Sequence, residues 1–193
     1  MKTLVRTIAA ICAVVALSST PVWAVPGGGG PPITEVTPTC TSIDPGPGIV
    51  DGVNIRWPDP DGKHFYSYDI ILSSHVGDTW TYKVEAAAGS KALSHWLLEE
   101  CEGGEIDPPY LKNHIVDTDP NASIGKDGST GIDGVKWDTT GGTFVITMDN
   151  KYRPMEHNVW AKSSTYYAGC TVLGPGCPLG ERGNSTSVIG FDE

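Results

Sequence analysis

Short alternating segments dominate the chain from residue 51 onward, and they constrain the fold more than any other feature. β-Branched or aromatic residues recur at every second position, and clusters of Gly, Pro, Asp and Ser separate the segments. This period places successive side chains on opposite faces of a sheet. About eight strands are predicted, at residues 53–57, 66–72, 79–85, 92–98, 114–116, 132–137, 143–148 and 158–162. They predict an all-β fold, an antiparallel β-sandwich with Greek-key or jelly-roll-like connections.

Two local features qualify this prediction. Residues 86–102 offer a helical alternative, because Ala86-Ala87-Ala88 and the segment 97–100 are good helix formers. The pair Gly141-Gly142, between two predicted strands, is typical of a hairpin loop.

The ends of the chain differ from its middle. Residues 1–24 combine Lys2 and Arg6 with a short apolar run and a small residue at Ala24, which predicts a secretory signal peptide. Residues 25–48 are rich in Gly and Pro and are interpreted as a linker or N-terminal arm, in which 33–40 pairs as an edge strand if Cys40 anchors it. The sandwich is expected over 49–178 and a tail over 179–193. The predicted location is extracellular, or periplasmic in transit.

The chain is acidic. The predicted signal holds two of the thirteen Lys and Arg residues and none of the twenty-three Asp and Glu residues, which leaves eleven against twenty-three and a formal charge of −12. Such a surface repels phosphate backbones and anionic lipids. We therefore expect no nucleic-acid partner, and no later segment is apolar for long enough to predict membrane insertion.

Four cysteines follow the predicted signal, and an even number in an exported chain predicts two disulfides. The favoured pairs are Cys40 with Cys170 and Cys101 with Cys177, because both tie distant segments together. A local Cys170–Cys177 bridge, with Cys40 paired to Cys101, is the open alternative.

Two motifs resemble a recurrent domain of uncharacterised secreted bacterial-type proteins. They are Ser94-His95-Trp96, with a cysteine five residues further on, and the segment 124–138, which contains GKDGSTGIDGVKWD. A Phe-containing strand and the strand with Val159-Trp160-Ala161-Lys162 follow them. The resemblance covers about residues 65–177. It implies an extracellular β-sandwich and brings no activity.

The segment 117–134 is crowded with aspartate and glycine. Asp117, Asp119, Asp127 and Asp133 are candidate calcium ligands, because Ca²⁺ accepts six to eight oxygen atoms in flexible geometry. The same residues also suit a series of solvated turns, since Asp and Gly are common turn residues. The spacing does not fit a helix-flanked calcium loop, because Ala122 stands where that loop needs glycine.

Aromatic residues suggest a glycan as a second kind of ligand. Trp80 and Tyr82 share one face of a predicted strand, and Tyr66 and Tyr68 share a face of another. Exposed rings of this kind stack on sugars, whereas buried ones form an ordinary core. For Trp96 and Trp137 we expect a core position.

The sequence carries no motif of a known catalytic class. Ser94 adjoins His95, but neighbouring residues of a strand point to opposite faces and cannot form a nucleophile–base pair. The first hypothesis is therefore a secreted, non-enzymatic module for adhesion or self-assembly in a surface matrix, with calcium as its possible ion. A carbohydrate-binding module is the alternative, and a hydrolase of unrecognised type is the third hypothesis.

Overall fold

Two six-stranded sheets form the molecule. The computed structural model describes residues 32–100 and 110–176, with Tyr110 described by its backbone alone. The described elements are β1 (Thr34–Glu35), β2 (Thr39–Ser42), β3 (Asp51–Pro58), β4 (Phe65–Val76), β5 (Thr79–Ala86), β6 (His95–Glu99), α1 (Tyr110–His114), β7 (Ile115–Asp119), β8 (Ser123–Lys126), β9 (Asp133–Trp137), β10 (Gly142–Met148), β11 (Pro154–Ser163) and β12 (Tyr166–Pro175).

The first sheet has the strand order β1-β12-β11-β6-β9-β8, and the second has the order β2-β3-β4-β5-β10-β7. All pairs are antiparallel except β1 with β12, which is parallel. The strands β4 and β5 form a hairpin, as do β11 and β12. The predicted β-sandwich class agrees with this architecture.

Alternating side chains from both sheets meet in an aromatic core. Trp96 and Trp137 are stacked with their ring centroids 4.5 Å apart, and both are almost fully buried. On the opposite sheet, Trp57 stacks on Tyr66 with a centroid distance of 4.9 Å. Such pairs stabilise a fold by about 0.5–1.5 kcal/mol beyond the burial of their area. The expected core positions of Trp96 and Trp137 are confirmed.

Each of the eight predicted strands corresponds to a strand of the structure, but the described residues form twelve. The strands without a predicted counterpart of their own are β1, β2, β8 and β12. Helix formation over 86–102 was a wrong alternative, because 95–99 pairs with strands on both sides. Within residues 32–100 and 110–176 the one helix is α1, which has five residues.

The predicted Gly141-Gly142 hairpin is also wrong. The strands on either side of this pair, β9 and β10, belong to different sheets, so the connection crosses from one layer to the other. Both glycines have positive φ values, 138° and 140°, which residues with a Cβ atom rarely adopt. A Cβ atom on Gly141 would lie 2.8 Å from the carbonyl oxygen of Val84. The crossing therefore needs glycine for conformation and for space.

The segment predicted as an arm links the two sheets. Thr34 and Glu35 pair with β12 in the first sheet, and 39–42 pair with β3 in the second. A disulfide joins Cys40 to Cys170 with a Cα–Cα distance of 5.9 Å, which confirms this predicted pair. It also rules out the local bridge between Cys170 and Cys177. The edge strand predicted over 33–40 is instead divided into β1 and β2, one in each sheet.

Several predictions fall outside the described residues. They are the signal peptide at 1–24, the tail at 179–193 and the pair Cys101–Cys177. Within the described part of the chain, no helix has the length and apolar character needed to cross a membrane.

Candidate functional site

The four aspartates proposed as calcium ligands are divided between the sheets. Asp117 and Asp119 are exposed on β7, at the edge of the second sheet. Asp127 and Asp133 flank the loop between β8 and β9, at the edge of the first sheet. Among residues 32–100 and 110–176, no group of three or more His, Cys, Asp or Glu side chains is placed to hold a metal ion. Calcium binding stays a prediction.

Asp127 organises the loop that follows it. Its carboxylate accepts hydrogen bonds from the Ser129 hydroxyl at 2.6 Å and from the Thr130 amide and hydroxyl, each at 2.8 Å. Lys136 Nζ lies 3.2 Å from its second oxygen. Burial alone would raise the pKa of this carboxyl, but these hydrogen bonds outweigh burial and hold the pKa well below its usual range. The side chain thus has an internal role in the turn.

The four aromatic residues suggested as a sugar platform are fully buried. Trp80, Tyr82, Tyr66 and Tyr68 each expose 0 % of their surface and belong to the core. Two of the tyrosine hydroxyl groups bond within the fold: Tyr82 donates to the Leu173 carbonyl at 3.0 Å, and Tyr68 donates to the Lys91 carbonyl at 2.8 Å. Stacking on a sugar needs an exposed ring, so these four residues do not form the predicted sugar platform. They belong to the ordinary core that the sequence also allowed.

Among the tryptophans that the structure describes, Trp160 is the one that faces outward. It alternates on β11 with Val159 and Ala161, which are both fully buried, and its own side chain is partly exposed. The other four tryptophans in the described residues expose at most 1 % of their surface: Trp57, Trp80, Trp96 and Trp137. We call the face of the first sheet that carries Trp160, Lys162, Tyr167 and Gly169 the outer face.

Gly169 lets the indole of Trp160 lie flat on this face. The two residues are direct partners in the β11–β12 ladder. A Cβ atom built on Gly169 would lie 2.7–2.8 Å from the ring atoms Cδ2, Cε3 and Cζ3. Because these distances are nearly equal, the Cβ position points at the face of the ring, not at its edge. One ring face therefore packs on the glycine, and the opposite ring face points away from the sheet.

The arm forms one side of a groove beside this ring. We call it the Trp160 groove; it has a volume of about 390 Å³ and is lined by Glu35, Val36, Thr37, Pro38, Trp160 and Gly169. The Val36 amide donates to the Tyr167 carbonyl at 3.0 Å, and Val36 also packs against the core. Together with the disulfide at Cys40, these contacts hold the arm in place.

Two glutamates contact the aromatic rings of the outer face. Glu99 Oε2 accepts a hydrogen bond from Trp160 Nε1 at 2.6 Å, which fixes the rotation of the indole. Glu35 Oε2 accepts one from the Tyr167 hydroxyl at 3.3 Å. The rings of Trp160 and Tyr167 are 5.7 Å apart and inclined by 50°. Trp160 and Glu35 thus line the groove, and Tyr167 and Glu99 contact these two residues from outside its lining.

A network around the buried residues His95 and Asp127 lies further along the same face. His95 pairs with Lys162 in the β6–β11 ladder and exposes only 5 % of its surface. Its Nε2 is 3.5 Å from Asp127 and its Nδ1 is 3.7 Å from Asp138, while Lys136 contacts both carboxylates. Burial lowers the pKa of His95; the lysines lower it further and the aspartates oppose them. The imidazole is therefore held in its neutral form at neutral pH.

Comparison with protein-family models, with curated proteins and with solved structures found no match to this chain.

Strand periodicity contains the signal that points to Trp160. In Asn158-Val159-Trp160-Ala161-Lys162, the tryptophan shares its parity with Asn158 and Lys162, both polar. The buried Tyr66 and Tyr68 instead alternate with the polar residues Ser67 and Asp69. Parity separates an outward ring from an inward one, whereas the number of aromatic residues does not.

Proposed function

We propose that this chain is a secreted, non-enzymatic module that adheres to carbohydrate, with the Trp160 groove as its binding site. The observation that carries the proposal is the indole of Trp160, which lies flat over Gly169 with its other face outward. Adhesion and glycan binding, which the sequence suggested separately, are here one function.

A sugar matches the chemistry of this groove. The C–H groups of a pyranose ring form an apolar face that packs on an aromatic ring. The hydroxyl groups of the sugar need hydrogen-bond acceptors. Trp160 supplies the aromatic face, and Glu35 and Glu99 supply carboxylate oxygens beside it. The groove volume of 390 Å³ lies within the range of about 300–1,000 Å³ that is usual for small-ligand sites.

Secretion is part of the proposal. The first 24 residues have the composition of a signal peptide, and the Cys40–Cys170 disulfide is of a kind that persists in oxidising compartments. A secreted protein would encounter a polysaccharide ligand outside the cell.

The edges of the sheets favour a glycan ligand over strand exchange with a second copy. The arm residues 34–42 already pair within their own chain. On β12, the Asp51 carboxylate accepts the Leu173 amide at 2.6 Å, so that edge donor is occupied. On β7, the exposed Asp117 and Asp119 oppose pairing with another acidic edge. Self-association stays a prediction, secondary to glycan binding.

Retention on polysaccharides tests the proposed function. The protein is incubated with suspensions of neutral polysaccharides and with a glycan array, and the bound fraction is measured. We expect retention on at least one glycan and a loss of affinity of at least about tenfold in Trp160→Ala, because stacking on a ring contributes a large share of such a contact.

The matched control is Phe65→Ala. Phe65 is also a partly exposed aromatic residue, but it lies on the second sheet and contacts Arg56. This variant should bind like the wild type. The proposal is wrong if Trp160→Ala, folded by circular dichroism, binds every retained glycan as well as the wild type does.

A further inference from the structure

We infer that the Trp160 groove selects saccharides that carry free, protonated amino groups. The inference rests on the proposed function and narrows its ligand class. Each of the two glutamates gives one oxygen to a ring donor, Glu99 to Trp160 and Glu35 to Tyr167, and a carboxylate can accept more than one hydrogen bond.

Neither carboxylate has a cationic partner in the described part of the chain. The ion pairs there involve other acidic residues: Glu85, Asp59, Asp127, Asp138 and Asp149. On the outer face, Lys162 donates to the Ser164 carbonyl at 2.8 Å, and Lys136 contacts Asp127 and Asp138. Among the described residues, no cation therefore competes for the two glutamates, of which Glu99 contacts the indole nitrogen and Glu35 lines the groove.

The ring itself favours a cation. The face of an indole carries negative charge density, and ammonium groups are attracted to it, most strongly for tryptophan among the aromatic side chains. One face of Trp160 points away from the sheet, and a carboxylate contacts its indole nitrogen. A sugar that stacks on this face and carries an ammonium group beside the ring would meet both attractions.

The net negative charge of the whole chain also favours a cationic ligand over an anionic one. A formal charge of −10, on thirteen basic and twenty-three acidic residues, disfavours uronic-acid and sulfated glycans. A neutral sugar would use the ring and the hydrogen bonds alone. An amino sugar would add charge-assisted hydrogen bonds to Glu35 or Glu99, which are stronger than neutral ones.

Two soluble oligosaccharides that differ only at nitrogen test the inference. The tetramers of β-1,4-linked glucosamine and of N-acetylglucosamine are titrated calorimetrically at about pH 6, where free amines are protonated, and at roughly 0.15 M salt, which screens long-range attraction. We expect the free-amine tetramer to bind the wild type about three- to tenfold more tightly, because each exposed ion pair contributes little.

The double variant Glu35→Gln/Glu99→Gln removes both negative charges and keeps one acceptor oxygen in each side chain. It should bind the two tetramers equally, because it loses more affinity for the free-amine tetramer than for the acetylated one. A charge-matched control, Asp78→Asn/Glu85→Gln, removes two exposed charges from the second sheet and should keep the preference.

The outcomes separate the two claims. If the wild type binds the acetylated tetramer as tightly or more tightly, the amino-sugar inference is wrong and glycan binding stands. If the control pair loses the preference as fully as the groove pair, net charge explains the selectivity and the inference is likewise wrong. If no tetramer and no neutral glycan binds, or if Trp160→Ala binds both tetramers normally, the proposed function itself fails.

Discussion

At the scale of single residues, the site depends on one glycine. Gly169 has the space above its Cα atom filled by the indole of Trp160, and any larger side chain there must displace the ring. The ring lies on the outer face, so it can swing toward solvent without opening the core. Gly169 is therefore expected to matter for binding more than for stability.

Gly169→Ala tests this role. A Cβ atom there would meet three ring atoms at 2.7–2.8 Å and turn the indole off the sheet. We expect glycan affinity to fall by at least about tenfold, while the free energy of unfolding changes by about 1 kcal/mol or less because the strained group is partly exposed. Gly128→Ala is the control, since its Cβ would meet no atom within 4 Å. A Gly169→Ala protein with normal affinity would show that ring placement is unimportant.

Asp127 stabilises the loop that follows it, and it is also one of the four predicted calcium ligands. Asp127→Asn removes the charge that Lys136 and three hydrogen-bond donors contact, so we expect a loss of about 1–3 kcal/mol in the free energy of unfolding. Asp119→Asn, on an exposed strand edge, should change it by about 0.5 kcal/mol or less. Denaturant melts of both variants, repeated with millimolar calcium, separate the roles. Calcium stabilisation that both variants abolish would support the metal site instead.

Parity predicts which residues face out, but not which partner lies opposite them. Trp160 could be placed on the outer face from its neighbours in sequence, whereas the pairing of Trp160 with Gly169 depends on the register of β11 against β12. That register is fixed by long-range packing. The sequence likewise did not indicate that Glu99 and Glu35 would contact these two rings.

At the scale of elements, the arm is the feature that connects fold and site. It adds β1 to one sheet and β2 to the other, and between them it forms a side of the Trp160 groove. The alternation of residues 33–40 and the anchor at Cys40 predicted one edge strand here, but not its division into two short strands in different sheets. The ten-residue β12 was missed because Gly169, Gly174 and Pro175 look like strand breakers, yet neighbouring side chains fill the space over both glycines.

Removing the disulfide should affect both stability and binding. It closes a sequence separation of 130 residues, so Cys40→Ser/Cys170→Ser should lose about 2–4 kcal/mol of unfolding free energy. The arm would then be held by few backbone hydrogen bonds, and glycan affinity should fall even where the protein is still folded. Denaturant melts and calorimetry of the double variant measure the two effects. Unchanged affinity at full folding would mean that the arm does not contribute to the site.

At the scale of the whole molecule, buried histidines make stability depend on pH. Burial lowers the pKa of His95, His157 and His75 in the folded state. Around His95 the charged neighbours are Asp127, Asp138, Lys136 and Lys162, and their opposing effects leave burial dominant. Below the unfolded-state value of about 6.5, the unfolded chain takes up protons first, so the free energy of unfolding falls as pH falls.

We therefore expect the melting temperature to be steady above about pH 7 and to decline between about pH 7 and pH 5. His95→Gln should make this decline shallower, since it removes one of the three imidazoles whose pKa burial lowers. His64→Gln is the control, because His64 is exposed. Thermal melts at matched ionic strength give both curves. A melting temperature that rises on acidification over this range would contradict the assignment of neutral buried histidines.

The central claim, that a sugar stacks on Trp160, is tested most directly by the indole N–H resonances of the folded protein. Among the described tryptophans, four are buried in the core and Trp160 alone is partly exposed. The indole N–H of Trp160 therefore has a different environment from those of the core tryptophans, and a ¹H–¹⁵N spectrum reports on it separately. On titration with the glucosamine tetramer, the account predicts a saturable shift of the Trp160 resonance, assigned with Trp160→Phe, while those of Trp57, Trp80, Trp96 and Trp137 stay in place. A saturable shift at a core indole with Trp160 unmoved, or binding by calorimetry without any indole shift, would contradict it.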